Sequence, residues 1–303
     1  MTAAPPPAAA RPRPARLDVG VVGTGRVGAV LGAALAAAGH RVVAASAVSA
    51  ASRTRADALL PGVPLVDPRD VVEAASLVLL AVPDDELGPL ATGLAEVGAF
   101  RSGQLVVHPS GRWGTGVLAP ATSAGVLPLA LHPVMTFTGT SLDLSRLQGC
   151  SFAVTAPDVL RPIGHALVVE MGGEPQDVAE EARPLYHAAL ASAANSLVTL
   201  VAQAQDLLRR CGVEDPARMV APLLSAALDG ALREGDAALT GPVARGDAGT
   251  VEAHVRELAA VSPEAAAAYV ALARLTADRA LAAGVLAPER AEPLLGVLSG
   301  WRA

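Results

Sequence analysis

The stretch LDVGVVGTGRVGAVLGAALAAAG, Leu17–Gly39, decides the fold. Leu17 to Val22 is an apolar run that reads as a buried strand. Gly23, Thr24, Gly25, Arg26, Val27 and Gly28 then turn the chain, and an alanine-rich helix follows until Gly39 stops it. Gly23 permits the tight turn. Gly25, without a side chain, leaves the backbone open to a pyrophosphate. Gly28 lets the helix pack close to the strand. The helix N-terminus offers unpaired N–H groups and a partial positive charge to phosphates. Strand, glycine turn and helix in this order are the context in which a GxGxxG motif binds a dinucleotide. The alternative is a tight turn that binds nothing.

Composition narrows the rest. A chain of 303 residues has room for two domains, and with 52% hydrophobic but only 2% aromatic residues its core must be built from alanine, valine and leucine. There is no lysine, so all 23 basic residues are arginine, and a whole class of catalytic amine is removed. The net charge of -6 argues against nucleic acid as a partner. Cys150 and Cys211 lie far apart and fit no metal-ligand spacing. They read as reduced thiols of a cytoplasmic protein, and no metal site is expected. No apolar run is long and clean enough for a bilayer span; the uncharged stretch Val117 to Phe137 is broken by Pro120, Pro128 and Pro133. No membrane association is expected. Residues 1–16, rich in Ala, Pro and Arg, read as a disordered tail rather than a signal peptide.

Outward from the glycine turn, Arg41 to Ala45 reads as the second parallel strand. An NAD-binding unit usually ends this strand with a carboxylate for the ribose 2′-hydroxyl. Here Ser46 holds that place and Arg53 follows, with Arg26 already inside the turn. A hydroxyl and arginines without a carboxylate favour a 2′-phosphate, hence NADP. Arg53 and its neighbour Arg55 read equally as solvated residues of the next helix.

Ser76 to Val82, SLVLLAV, is a fully apolar central strand ending in Pro83, Asp84 and Asp85. Gln104 to His108 is another, followed by Pro109, Ser110 and Gly111, and Gly125 to Leu131 a third, followed by His132 and Pro133. Ligands of open α/β sheets sit at such carboxyl ends. Val82, Pro83 and Ser110 are therefore expected at the nicotinamide, and His108 and His132 at the cleft. A strand that stops because proline follows would place the same histidines there with no function. Ser151 to Thr155 reads as a last edge strand, and strand signals cease after Pro175. The expected organisation is a doubly wound parallel Rossmann sheet over residues 17–174 and an all-helical domain over residues 175–303.

Glu180 to Arg210 reads as one long helix. His187 and Asn195, eight residues apart, diverge by only about 80° on it, so a titratable ring and an amide share one flank. The same polar flank serves as plain surface. Further on, Thr240-Gly241-Pro242-Val243-Ala244-Arg245-Gly246-Asp247 interrupts the helices. It reads either as a turn or as a segment bringing Thr240 and Arg245 to a substrate, with Arg245 holding a carboxylate bidentately.

At these residues the chain resembles the Rossmann-like proteins that carry a C-terminal DUF2520 domain. That family lies near the 6-phosphogluconate dehydrogenase-like and F420-dependent NADP reductase-like oxidoreductases. The likeness rests on GTGRVG (Gly23–Gly28), AVPDDEL (Ala81–Leu87), HPSG (His108–Gly111), LHPVMTF (Leu131–Phe137), YHAA with Asn195 behind it, and LTGPVARGD (Leu239–Asp247). The resemblance implies an α/β cofactor domain, a helical second domain and a homodimer formed through the C-terminal helices. The broader β-hydroxyacid dehydrogenases place a proton-donating lysine four residues before an asparagine. If Asn195 matches that asparagine, the lysine position falls on Ala191, and His187, one turn back, is the natural substitute.

The function expected is NADPH-dependent reduction of a small 2-keto or 3-keto acid, with ketopantoate a candidate by analogy to reductases of similar layout. His187 donates the proton, Asn195 orients the reactants, Arg245 clamps the carboxylate, and Thr240 and His132 complete the pocket. Two alternatives stand beside it. One is an imine or deazaflavin-linked reductase; the other is an NADP-binding sensor that has lost catalysis along with the lysine.

Overall fold

The computed structural model describes residues 16–301, so the expected N-terminal tail lies, but for Arg16, outside the described residues. The chain divides into two units at Ser192/Ala193.

In the first unit β1 (Asp18–Val22), β2 (Arg41–Ser46), β3 (Leu77–Leu80), β4 (Leu105–His108), β5 (Leu127–Pro133), β6 (Ser151–Thr155) and β7 (Glu174–Asp177) form one sheet in the order β2-β1-β3-β4-β5-β6-β7. The first five strands are parallel. β6 runs antiparallel to β5, and β7 pairs parallel with β6. The Rossmann-type sheet expected from the sequence is thus present, with its last two strands reversed. β6 is not the edge. That place belongs to β7, whose residues EPQD carry no apolar run and whose proline suits an unpaired edge.

Both faces of the sheet are covered, which is why its strands read as unbroken apolar runs. Leu77, Leu79, Leu105 and Val107 pack into one layer with Val30, Leu31 and Leu35 of α1 (Arg26–Ala37) and Leu167 and Val168 of α7 (Arg161–Glu170). Their strand neighbours Val78, Leu80 and Val106 point the other way. They meet Val71 and Val72 of α3 (Pro68–Ala74) and Leu87 and Ala91 of α4 (Asp84–Glu96). Each such fully buried leucine or valine contributes roughly 1.5–3 kcal/mol.

α1 ends in a Schellman motif. Gly39 takes φ +96°, its N–H donates to Ala36 O, and the N–H of His40 donates to Leu35 O. α2 (Ala50–Leu59) starts at Ser49, which exchanges capping hydrogen bonds with Ser52. The short α5 (Ala119–Thr122) and α6 (Leu142–Arg146) lie in the β4–β5 and β5–β6 connections, and α6 packs against α1.

α8 (Arg183–Arg210) follows a 3-10 turn over Glu180–Ala182 and crosses the division between the units. The expected boundary after residue 174 therefore falls inside β7. The first unit runs on to Ser192 because β7 completes the sheet and the start of α8 is pinned to it. Glu180–Arg210 is by length and composition long and apolar enough to cross a membrane, and its apolar window is not buried within the single chain. Ser192, Asn195, Ser196 and Thr199 interrupt its apolar run, so no continuous apolar stretch marks it in the sequence.

The second unit is all-helical, as expected. It holds the rest of α8 with α9 (Pro216–Glu234), α10 (Gly241–Arg245), α11 (Ala248–Val261), α12 (Pro263–Ala282) and α13 (Pro288–Gly300). Its core is aliphatic, with Val251, Val270 and Leu294 packed among small residues such as Ala273, Ala277 and Ala280. Leu197 and Val198 of α8 and Met219, Leu223, Leu228 and Leu232 of α9 are exposed.

Candidate functional site

The glycine turn has the geometry its sequence demands. Gly23 takes φ +93°, and a Cβ there would meet Ala81 O at 2.6 Å. A Cβ on Gly28 would meet Gly23 O at 2.0 Å and Ala81 Cβ at 2.7 Å, so the helix sits directly on β3 and the turn. At Gly25 the opposite holds: a Cβ would have nothing within 4 Å. Gly25 is the N-cap of α1, no side chain caps that end, and its first turn carries no acidic residue. An uncapped helix end beside a glycine with room around it is the form a pyrophosphate cradle takes. Val27 is half-buried beside them.

Thr24 and Ser46 serve the turn itself. Thr24 is fully buried, its hydroxyl lying 3.2 Å from Ser46 O and 3.1 Å from Ser52 O. Ser46 Oγ accepts the N–H of Gly23 at 3.1 Å. Both residues tie β2 to β1 through the glycine turn. Arg26 and Arg53 are exposed. Arg55, not singled out over Arg53 in the sequence, packs on Gly139: a Cβ at that glycine would lie 2.8 Å from Arg55 Nε and 3.1 Å from Arg26 Cγ. Gly139 belongs to the β5–α6 loop. Buried Asp143 shapes that loop by accepting the N–H groups of Thr138 and Gly139 at 2.8 and 2.7 Å and the Thr138 hydroxyl at 2.9 Å. Burial pushes the Asp143 carboxyl up, but these donors outweigh it and hold the group below the usual carboxylate range.

After the carboxyl end of β3, Val82 is half-buried and Pro83 exposed. Ser110 is buried, and its polar atoms are engaged. Its N–H donates to His108 Nδ1 at 3.3 Å, its Oγ accepts from the N–H of Trp113 at 3.2 Å, and its carbonyl accepts from Arg183. His108 does not border a cleft. It is fully buried, and since Nδ1 accepts from Ser110, Nε2 carries the proton and donates to Gly114 O at 2.9 Å. Burial lowers its pKa to about 4, so it is a neutral strut of its own loop. Glu180 braces the same loop, accepting the N–H groups of Thr115 and Gly116 at 2.7 and 2.9 Å.

His132, His187 and two residues absent from the sequence-based candidates come together at the end of β5. Tyr186 Oη lies 2.8 Å from His132 Nδ1. The His132 and His187 rings stand edge to face, with centroids 6.5 Å apart. Gly111 makes room for both, since a Cβ there would lie 2.9 Å from His132 Nε2 and from His187 Cδ2. Beneath them Arg183, the first residue of α8, is fully buried. Its Nε donates to Thr155 Oγ1 at 2.7 Å, Nη1 to Ser110 O at 3.1 Å, and Nη2 to Ala130 O and Ala153 O at 3.0 and 3.1 Å. These acceptors are all neutral oxygens, so no carboxylate is bonded to the guanidinium, which lies 5.8 Å from the centre of the Tyr186 ring. Burial, helped by Arg183, His187 and His108, takes His132 down to about 4 and keeps it neutral. Burial pushes the Tyr186 phenol up, while Arg183 works the other way. Tyr186 was adjacent to the predicted His187, but nothing in its spacing announced the bond to His132. Arg183 carries no signal in the sequence that sets it apart from other arginines.

Asn195, Thr240 and Arg245 belong to the second unit. Asn195 is exposed, and its carbonyl accepts the Thr199 hydroxyl at 3.1 Å. Thr240 is the exposed N-cap of α10. Arg245 is exposed and forks onto Asp247 through Nε and Nη2 at 3.0 and 2.8 Å.

Residues 2–133 match the Rossmann-like domain family and residues 150–276 the domain of unknown function DUF2520, so the chain belongs to the proteins that join these two domains. No curated protein matches it. Among solved structures it is similar to the NADP oxidoreductase candidate BF3122 from Bacteroides fragilis, with 21% identity, a TM-score of 0.70, and coverage of 87% of this chain and 98% of that one. Protein TM1727 from Thermotoga maritima gives 21% identity, a TM-score of 0.65 and the same coverage. A variant imine reductase from Myxococcus stipitatus, in complex with NAD+, gives 18% identity and a TM-score of 0.55 over 87% of this chain and 94% of that one. At these identities the likeness shows a shared fold.

Proposed function

We propose that this protein is an NADPH-dependent oxidoreductase that reduces a small carbonyl compound, a 2-keto or 3-keto acid. The observation that carries the reading is the N-terminus of α1, which no side chain caps and where a side chain at Gly25 would meet nothing within 4 Å. Gly23 to Gly28 would hold the pyrophosphate, and Arg26 would lie beside the ribose end. Val82 and Pro83 would flank the nicotinamide, as their place at a strand's carboxyl end supports. The NADP named for the Bacteroides relative and the NAD+ bound to the imine reductase are consistent with a dinucleotide here.

NADPH bound there supplies hydride to the carbonyl carbon. The protein must hold the substrate and give the carbonyl oxygen a proton. The Tyr186 hydroxyl is the best-organised acid, because His132 Nδ1 is within hydrogen-bond distance and the Arg183 charge lies close to the ring. With His132 donating Nδ1–H to the phenolic oxygen, the Tyr186 proton is free for the substrate. The phenolate left behind is stabilised by that bond and by Arg183, and is reprotonated from water. His187 is the second candidate donor. Asn195, Thr240 and Arg245 are retained from the sequence as orienting and carboxylate-binding residues. Arg245→Ala should raise KM for an acid substrate at least tenfold if Arg245 grips the carboxylate.

The first experiment is a fluorescence titration with NADPH and NADH, followed by a turnover screen of keto acids, cyclic imines and F420. Binding with turnover of a keto acid supports the proposal. Turnover of imines or F420 alone moves the protein to the second reading, which the fold shared with an imine reductase favours. Tight binding without any turnover makes it a sensor. No binding overturns the dinucleotide reading.

A further inference from the structure

We propose that Arg55 and the β5–α6 loop, Thr138–Ser141, form a phosphate-monoester pocket that makes the protein select a dinucleotide phosphorylated on its adenosine ribose. The inference rests on the dinucleotide reading above and assigns its specificity to residues that reading did not use.

Four observations place the pocket. First, the connection from β5 to β6 returns across the sheet to the N-terminal end of α1. Phe137 and Leu144 pack into the layer that contains Val30 and Leu31, and α6 lies against α1. The loop therefore stands over the glycine turn, where the adenosine half of a dinucleotide lies in this fold. Second, the side chains of Arg26 and Arg55 converge on Gly139, reaching it from the glycine turn and from α2. Gly139 takes φ +80°, and a side chain there would displace the Arg55 guanidinium. Third, an open groove of about 600 Å³ lies between α2 and the loop, lined by Thr54, Arg55, Ala58, Thr138, Thr140 and Ser141. It combines the Arg55 guanidinium with the Ser141 hydroxyl, which among the described residues has no acceptor, and a guanidinium beside a hydroxyl donor suits a phosphate. Fourth, among the described residues neither Arg26 nor Arg55 has a carboxylate partner, although arginines elsewhere in the chain do, such as Arg41 with Asp18 and Arg161 with Asp158. Two cations packed on one glycine repel each other until an anion enters.

The groove is shaped in advance. Asp143 fixes the loop through Thr138 and Gly139, and because the Thr138 hydroxyl donates to Asp143, the Thr140 hydroxyl donates to Thr138 Oγ1 at 2.9 Å, so the rim of the groove is held in place. Arg53 is exposed, and nothing links it to the loop.

The test uses the full chain and measures binding. Adenosine 2′,5′-bisphosphate and adenosine 5′-phosphate are titrated by calorimetry, and NADPH and NADH by nicotinamide fluorescence. The expected result is at least tenfold tighter binding of each 2′-phosphorylated ligand. Arg55→Met and Thr140→Val/Ser141→Ala should erase most of that preference while leaving NADH affinity within twofold. Arg53→Met, the control, should leave the preference intact. A preference that survives Arg55→Met, or disappears with Arg53→Met, overturns the pocket. Equal binding of NADPH and NADH overturns it while the dinucleotide reading stands. Absence of binding by any of the four ligands overturns both.

Discussion

Tyr186 Oη and His132 Nδ1 lie 2.8 Å apart, joining the first turn of α8 to the carboxyl end of β5. A general acid of this kind contributes about 10²–10⁴-fold. Tyr186→Phe should therefore lower kcat by roughly that factor on a substrate found in the screen, with NADPH affinity unchanged. His187→Ala should cost tenfold or less. The reverse ranking would make His187 the donor.

His108 and His132 stay neutral in the folded chain, with pKa values of about 4 against an ordinary 6.5. Below pH 6.5 the unfolded chain takes up protons on both rings, whereas the folded chain does so only near pH 4. Stability is therefore fully present above pH 6.5 and is lost as pH falls toward 4. The loss is at most about 3 kcal/mol per histidine. Urea unfolding at pH 7, 6 and 5 reads it out, and His108→Gln should flatten the slope between these points.

Arg183 satisfies three carbonyls and one hydroxyl drawn from β5, β6 and the turn after β4. Arg183→Met should cost about 3–5 kcal/mol by leaving those buried acceptors unpaired. Arg183→Lys should recover little, because one ammonium cannot span a fork of this width. A drop in urea midpoint of under 1 kcal/mol equivalent for Arg183→Met would mean that the sheet end holds itself together.

Gly25 and Gly28 should separate binding from folding. Gly25 has an extended backbone, φ −68° and ψ −168°, and open space beside it. Gly25→Ala should keep the melting temperature within about 2 °C and weaken NADPH binding at least tenfold. Gly28→Ala drives a methyl into Gly23 O and Ala81, so it should cost more than 2 kcal/mol, as overpacking of a tight contact does. Equal melting temperatures for the two variants would contradict the packing described.

Val198 of α8 and Leu223 and Leu232 of α9 are 70%, 70% and 79% exposed in the single chain. Exposed apolar faces of this extent mark an association surface. We expect a homodimer through these helices. Light scattering after gel filtration should give twice the chain mass, and Val198→Glu/Leu228→Glu should give a monomer.

The sequence by itself determined the class of fold and the position of the glycine turn. A strand covered on both faces has to be apolar throughout, and a turn with φ +93° at its first position and a helix seated on its last has to spend glycines there. Local spacing fixes both. β7 was not legible, because an edge strand such as EPQD needs no apolar pattern. Tertiary structure alone decided which polar residues meet. His108 and His132 look alike in sequence, each at a strand end beside a proline. One is sealed into its own loop and the other bonds Tyr186, because the end of β5 holds His132 against the first turn of α8 while the turn after β4 folds back over His108. Arg53 and Arg55 likewise differ only in which side of α2 they occupy, and Arg55 is the one that reaches Gly139, 84 residues further along the chain. Contacts across such separations depend on how elements pack, and local sequence carries no record of that.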